Sequence, residues 1–278
     1  MKIALIGAGG KMGCRITDNL LKSNFETSYV EIGENGLKNL KQRGVEVTTQ
    51  DDAVKIADVV ILAVPDIHIG TVSKGIIDKL KAGSMVILLD PAAAYNKDLP
   101  NRKDITYFIS HPCHPPIFND EVEIEAKRDF FGGIKAKQAI VCAIMQGPEE
   151  DYIKGEEVAK AIYGPILRSH RITMEQMTML EPTLAETISS CLVVFLGEAL
   201  EETVRRGVPY DAARDFLLGH INVQLAIVFK ELDTQFSDAC KVAIEYGNKN
   251  LIQDGWQKLF DKEKVAEQVD IMLHPVKL

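Results

Sequence analysis

The sequence predicts an α/β fold: a doubly wound parallel sheet followed by an all-helical C-terminal domain. Three observations predict it. Up to about residue 145, short β-branched runs alternate with amphipathic stretches; a glycine-rich turn, "GAGGKMG", follows the first run and opens a helix; and strand-like sequence stops after "QGPEEDYIKGEE". Apolar runs bounded by Gly and Pro, with helices between them, read as parallel strands buried on both faces. The N-terminal half is therefore expected to be Rossmann-like.

Taken in order, the strand candidates are "KIALIGAG", "TSYVEIG", "GVEVTT", "ADVVILAVP", "GSMVILLD", "DITYFIS" and "KQAIVCAIMQG". Helix-like segments such as "MGCRITDNLLKSN" and "IGTVSKGIIDKLKAG" separate the early ones. From about Glu156 onward, apolar residues recur at helical spacing through "EVAKAIYGPILRS", the long stretch around "CLVVFLGEAL", and "YDAARDFLLGHINVQLAIVFKEL". The expected division is residues 1–147, a nucleotide-binding domain, and 148–278, a helical substrate and dimerisation domain. The join near Gly147-Pro148 is short and acidic, which favours close packing over a flexible linker.

Composition narrows the partners. The chain has 278 residues, 46% of them apolar, enough for a full core. A net charge of −8 without a Lys/Arg block disfavours nucleic acid. No apolar run nears the roughly 20 residues of a membrane span, because Gly197 and Glu198 interrupt the longest. No membrane partner is expected. Five cysteines, odd in number and irregularly spaced, speak for a reducing compartment, the cytoplasm. A small-molecule substrate is the remaining expectation.

The turn itself, Gly7, Ala8, Gly9, Gly10, Lys11, Met12 and Gly13, suits a pyrophosphate at a helix N-terminus. Met12 stands where a strict G-x-G-x-x-G has its third glycine, so the spacing is better described as G-x-x-G-x-x-G through Gly7, Gly10 and Gly13. Glu31 follows the turn by about 20 residues, where a carboxylate binds both ribose hydroxyls. With no arginine close behind it, NAD is expected rather than NADP. Val64, Pro65 and Asp66 end an apolar run at the sheet's carboxyl edge, and their backbone is expected to line the nicotinamide ribose.

The architecture resembles the 6-phosphogluconate/β-hydroxyacid dehydrogenase superfamily. The segments "IGAGGKMG", "VPD", "DITYFISHPCHPPIFND", "RDFFGGIKAKQAIVCAIMQGPEE", "LEPTLAETI" and "ARDFLLGHINVQLAIVF" are similar to the D-apionate oxidoisomerase group over nearly the whole chain. The resemblance implies NAD-dependent oxidation of D-apionate, a branched-chain sugar acid, with rearrangement to 3-oxoisoapionate. The wider superfamily's catalytic lysine segment has no clear counterpart here, so that mechanism does not carry over.

Carboxylate migration between adjacent carbons needs charge stabilisation at the neighbouring oxygens, which a divalent cation such as zinc provides. In "SHPCHPP", prolines at 112, 115 and 116 are expected to hold His111, Cys113 and His114 in an extended, stiff strip. His111 and His114 are candidates for metal or substrate, set against a turn-capping role. Glu181, at the Pro182 interruption of a helical pattern, is either a helix N-cap or the partner metal ligand. His220 and Asn222, polar residues in an apolar helix, are satisfied core groups or substrate contacts. Helices of this kind often complete a site from a second subunit, so a homodimer is expected. Two competing readings remain: a simple hydroxy-acid or semialdehyde dehydrogenase, the latter needing a nucleophilic Cys113 or Cys142, and a non-catalytic NAD-sensing regulator.

Overall fold

The computed structural model describes residues 1–275. Seven strands form one sheet in the order β2-β1-β3-β4-β5-β6-β7. They are β1 (Lys2–Ile6), β2 (Glu26–Val30), β3 (Val59–Leu62), β4 (Met85–Leu88), β5 (Thr106–Pro112), β6 (Gln138–Gln146) and β7 (Ile166–Arg171). The first five run parallel, as the buried apolar runs predict. Every residue of β3 and β4 is buried, alternate side chains serving opposite faces. Val60, Leu62, Val86 and Leu88 pack on one side with α3 (Gln50–Ile56) and α4 (Asp66–Ile76). Val59, Ile61, Met85 and Ile87 pack on the other with α1 (Lys11–Leu20) and α7 (Asp151–Tyr163). Each such side chain contributes roughly 1.5–3 kcal/mol by leaving water.

Three local expectations fail for identifiable reasons. "GVEVTT" makes only an isolated bridge between Val47 and Tyr29. β6 runs antiparallel to β5, because the connection between them holds just one helical turn, α6 (Ile124–Lys127). A parallel return is usually made through a full crossover helix. The sheet also continues past the expected boundary at 147, since α7 is a full crossover and delivers β7 parallel to β6. β7, sequence "ILRSHR", is a polar sheet-edge strand and lacks the apolar run that marks the others.

The chain divides into two compact units, 1–182 with 266–278, and 183–265. The first contains the sheet; the final helix, α12 (Lys262–Leu273), packs Val269 and Leu273 with Ala92 there. Helix α8 (Met174–Thr178) opens with a Thr173–Gln176 capping box, then widens at Met179–Ser190 into a π-helical segment with Pro182 inside. A wider turn tolerates the hydrogen bond that proline cannot make. The second unit holds α9 (Cys191–Arg205), α10 (Tyr210–Val228) and α11 (Asp238–Leu251). Helix α9 buries no residue and α10 only Ala213 and Ala226, while Val193, Val194, Phe216, Val228 and Phe229 stay exposed.

The expectation about apolar runs also changes. Met174–Arg205 is one continuous helical stretch of 32 residues, long and apolar enough by length and composition to cross a membrane. The helix continues through Pro182, Gly197 and Glu198, where the sequence pattern is interrupted.

Candidate active site

The carboxyl ends of β1, β3, β4 and β5 meet at one edge of the sheet, and the site grows from what each strand carries there. After β1, the backbone turns at Gly7 with φ +82°. That conformation strains any residue with a Cβ, and a Cβ there would also meet the Ala63 carbonyl. Gly13 of the expected spacing is as crowded, against the Gly7 carbonyl and the Ala8 backbone, but the remaining tight position is Gly9, packed against the backbone of Gly36, rather than Gly10. Helix α1 then starts at Lys11 with no side-chain cap. Its first amides therefore lack intrahelical partners, the usual condition for an anion site.

Glu31 stands just beyond β2. One carboxylate oxygen accepts the Gly9 amide at 2.9 Å, and the other accepts the amides of Ile32 and Gly33 at 2.8 Å each. The acid is thereby fixed beside the glycine turn. The first arginine after it, Arg43, is bound to Asp18 at 2.8 Å and is engaged away from that acid.

β3 leads through Val64 and Pro65 to Asp66, the first residue of α4. β4 leads to Asp90, whose side chain accepts the Ala92 amide at 2.7 Å and so starts the short helix α5 (Ala92–Tyr95). β5 ends with His111 and Pro112 still paired to β6. His111 Nδ1 lies 2.7 Å from the Leu89 carbonyl. Only a protonated Nδ1 satisfies that acceptor, which leaves Nε2 with its lone pair. Burial pushes the imidazole down to about 4, so it is neutral at physiological pH.

Asp90, His111 and Glu181 converge here, each half-buried, with one ligand atom apiece within 4.8 Å of the others. Glu181 hydrogen-bonds Asp90, and burial raises the Asp90 pKa. Burial, followed by the Asp90 charge, also pushes Asp66 up to about 6. Two carboxyl groups and one neutral imidazole thus meet, with Asp66 close enough to feel the charge of Asp90. The donor set fits a divalent ion: two carboxylates and an available imidazole nitrogen.

The structure thus brings together His111 and Glu181 of the expected ligands and adds Asp90. The residue was visible as an acid ending the apolar run "MVILLD", the same signal that marked Asp66. His114 is not part of this group. Its φ of +61° breaks the extended strip expected from the prolines. Its ring lies edge-on to His111 with centroids 6.4 Å apart, and Nδ1 bonds the Phe131 carbonyl at 2.9 Å. His220 and Asn222 lie on α10 in the second unit, where His220 is exposed, stacks on Phe216 and bonds its carbonyl at 2.7 Å. This is not the satisfied-core alternative for His220.

Comparison with known proteins supplies the family. The family Phosphogluconate dehydrogenase (decarboxylating) C-term matches residues 119–273, and NADP oxidoreductase coenzyme F420-dependent matches residues 2–91. The D-apionate oxidoisomerase of Cupriavidus necator is 55% identical over 96% of this chain and 98% of its own length. That of Rhizobium rhizogenes is 54% identical over the same shares. The chain belongs to the D-apionate oxidoisomerase family. Among solved structures, a semialdehyde dehydrogenase NAD-binding protein from Cupriavidus necator, in complex with calcium and NAD, matches this D-apionate oxidoisomerase family member with a TM-score of 0.96. It is 54% identical, over 98% of this chain and 99% of that one.

Proposed function

We propose that this protein is an NAD-dependent oxidoisomerase that oxidises D-apionate and rearranges it to 3-oxoisoapionate. The carrying observation is the Asp90, His111 and Glu181 cluster on the same sheet edge as the glycine turn and Glu31. The similar Cupriavidus necator structure contains calcium and NAD, which supports assigning both kinds of ligand to this edge. Glu31 receives the adenosine ribose hydroxyls, and with the next arginine in the sequence, Arg43, engaged by Asp18, NAD is favoured over NADP. Asp90, His111 and Glu181 hold a divalent cation. When bound, that cation supplies Lewis-acid charge at the substrate's oxygens, and NAD supplies the hydride acceptor. His111 stays neutral because burial disfavours its charge, and the Leu89 carbonyl decides which ring nitrogen keeps the proton. His114, with Nδ1 committed to Phe131, presents Nε2 as a proton acceptor for the substrate hydroxyl. His220 and Asn222 are assigned to substrate contact.

The thiols do not favour a semialdehyde mechanism. Burial raises the pKa of Cys113 and pushes that of Cys142 up to about 12, so neither is an activated thiolate. The deciding experiment incubates the enzyme with D-apionate and NAD and identifies products by mass spectrometry and NMR. The expected product is 3-oxoisoapionate. An unmigrated keto acid would establish a simple dehydrogenase, and NAD binding without turnover would establish a sensor.

The helical unit is proposed to pair with a second copy. Apolar surface of the kind exposed on α9 to α11 marks an association face. All five cysteines are free, which agrees with residence in the cytoplasm. Light scattering should give twice the 30.8 kDa chain mass; a monomer, or recovery in the membrane fraction, would overturn this pairing.

A further inference from the structure

The loop between β5 and β6 carries a second feature. Asp129 is buried, and one of its oxygens accepts the amides of Ile134, Lys135 and Ala136 at 3.1, 2.9 and 3.2 Å. This gathers residues 129–136 into a tight turn, with Gly132 and Gly133 at φ +72° and +85°. Asn19 of α1 donates to the Gly133 carbonyl at 3.1 Å and to the Ile162 carbonyl at 3.0 Å, fixing the turn to that helix. Phe131 is therefore presented rigidly, although its side chain remains exposed. A half-solvated aromatic held by so many polar contacts asks for a role.

Its ring answers in part. Lys11 Nζ lies 4.6 Å and Arg15 Cζ 4.3 Å from the ring centroid. The two cations stand one helical turn apart on α1, and Lys11 is the helix's first residue. The His114 ring also meets Phe131 edge-on, with centroids 5.9 Å apart. A cation resting on a ring is oriented without being neutralised, so its charge stays available to an anion.

We propose that Phe131 is a positioning residue for cofactor binding: it holds Lys11 and Arg15 beside the N-terminus of α1, where their charges attract the diphosphate. The proposal rests on the NAD reading above. It adds Arg15 and Phe131 to the glycine turn, and makes the β5–β6 loop part of the nucleotide site.

The test is calorimetric titration of full-length protein with NAD and with ADP-ribose, which carries the diphosphate without nicotinamide. Phe131→Leu keeps apolar bulk but removes the π face; both ligands should weaken by about threefold, the scale of an exposed cation–π contact. Phe131→Tyr should restore binding. Lys11→Gln with Arg15→Gln should weaken both ligands by about tenfold or more and flatten the salt dependence, since two charges are removed. Adding Phe131→Leu to that double variant should cost nothing further. Unchanged affinity in Phe131→Leu, or an equal loss with the cations already removed, overturns the positioning role while leaving NAD binding intact. If wild-type protein binds neither ligand, the NAD reading falls and this inference with it. Thermal melts of each variant identify any loss that is merely unfolding, and Phe131→Tyr then decides the point.

Discussion

Glu31 and Glu181 are the same side chain in the same compact unit, yet their surroundings differ in kind. Glu31 receives three backbone amides and needs no counter-ion. Glu181 shares a hydrogen bond with Asp90, a second carboxyl group raised by burial, beside an imidazole that carries no charge. Amides spread a carboxylate's charge through fixed dipoles; a second acid can do so only by sharing a proton. One acid is therefore satisfied by the backbone, whereas the other belongs to a donor set whose chemistry fits a cation. The lesson is that an acid's role depends on whether the backbone has already satisfied it.

The strongest way to break this contrast is to remove charge from the crowded acids. Glu181→Gln or Asp90→Asn should reduce turnover by about a thousandfold, as expected when several kcal/mol of charge stabilisation are lost. Metal analysis of the purified variants should show the ion gone, with NAD binding retained. Strong chelators should reproduce that state in the wild type. Retained metal and full activity in both variants would show that neither carboxyl group is needed to hold the ion or to carry out the reaction.

On the amide-bound side the expected effect is smaller. Glu31→Ala should narrow the NAD over NADP preference by about tenfold, or roughly 1.4 kcal/mol. Gly36→Ala probes the same acid indirectly, because a Cβ there would occupy the space of the Glu31 carboxyl. Steady-state KM values for both cofactors should move alike in the two variants. An unchanged preference in Glu31→Ala would remove this acid from cofactor selection.

Asp66 gives a pH-dependent test. Its folded-state pKa of about 6 lies above its ordinary value of 3.8. As pH rises past that ordinary value, the unfolded chain gives up this proton before the folded one. The native state loses stability up to about pH 6 and keeps the penalty above it. Asp66→Asn should therefore raise the melting temperature of chelated protein by about 1–3 °C at pH 8 and not at pH 3.5. A stabilisation of equal size at both pH values would exclude the charge as its cause. The smallest effect belongs to Cys113→Ser, which should keep most of the activity because the thiol is not activated. A loss of several orders of magnitude in a folded variant would restore the semialdehyde mechanism.

The sequence by itself determined the elements that obey a local rule. Fully apolar runs such as "VVIL" and "MVIL" can be satisfied only by burial on both faces, so β3 and β4 were legible without coordinates. The glycine turn was legible because a strand must reverse into a helix there, and Glu31 because its distance from the turn is set by one helix and one strand. "HPCHPP" and "LEPT" marked His111 and Glu181 through proline. The rest required long-range contact. β7 is polar and stands as a strand only because β6 offers it an edge. Asp90 joins His111 and Glu181 from positions far apart in sequence, and His114 leaves them because its own backbone takes a left-handed turn. Periodicity records which face of an element is apolar; it does not record which elements end at the same place. Only the packed sheet, by ending β4 and β5 side by side, decided which acids and which histidine share one small volume.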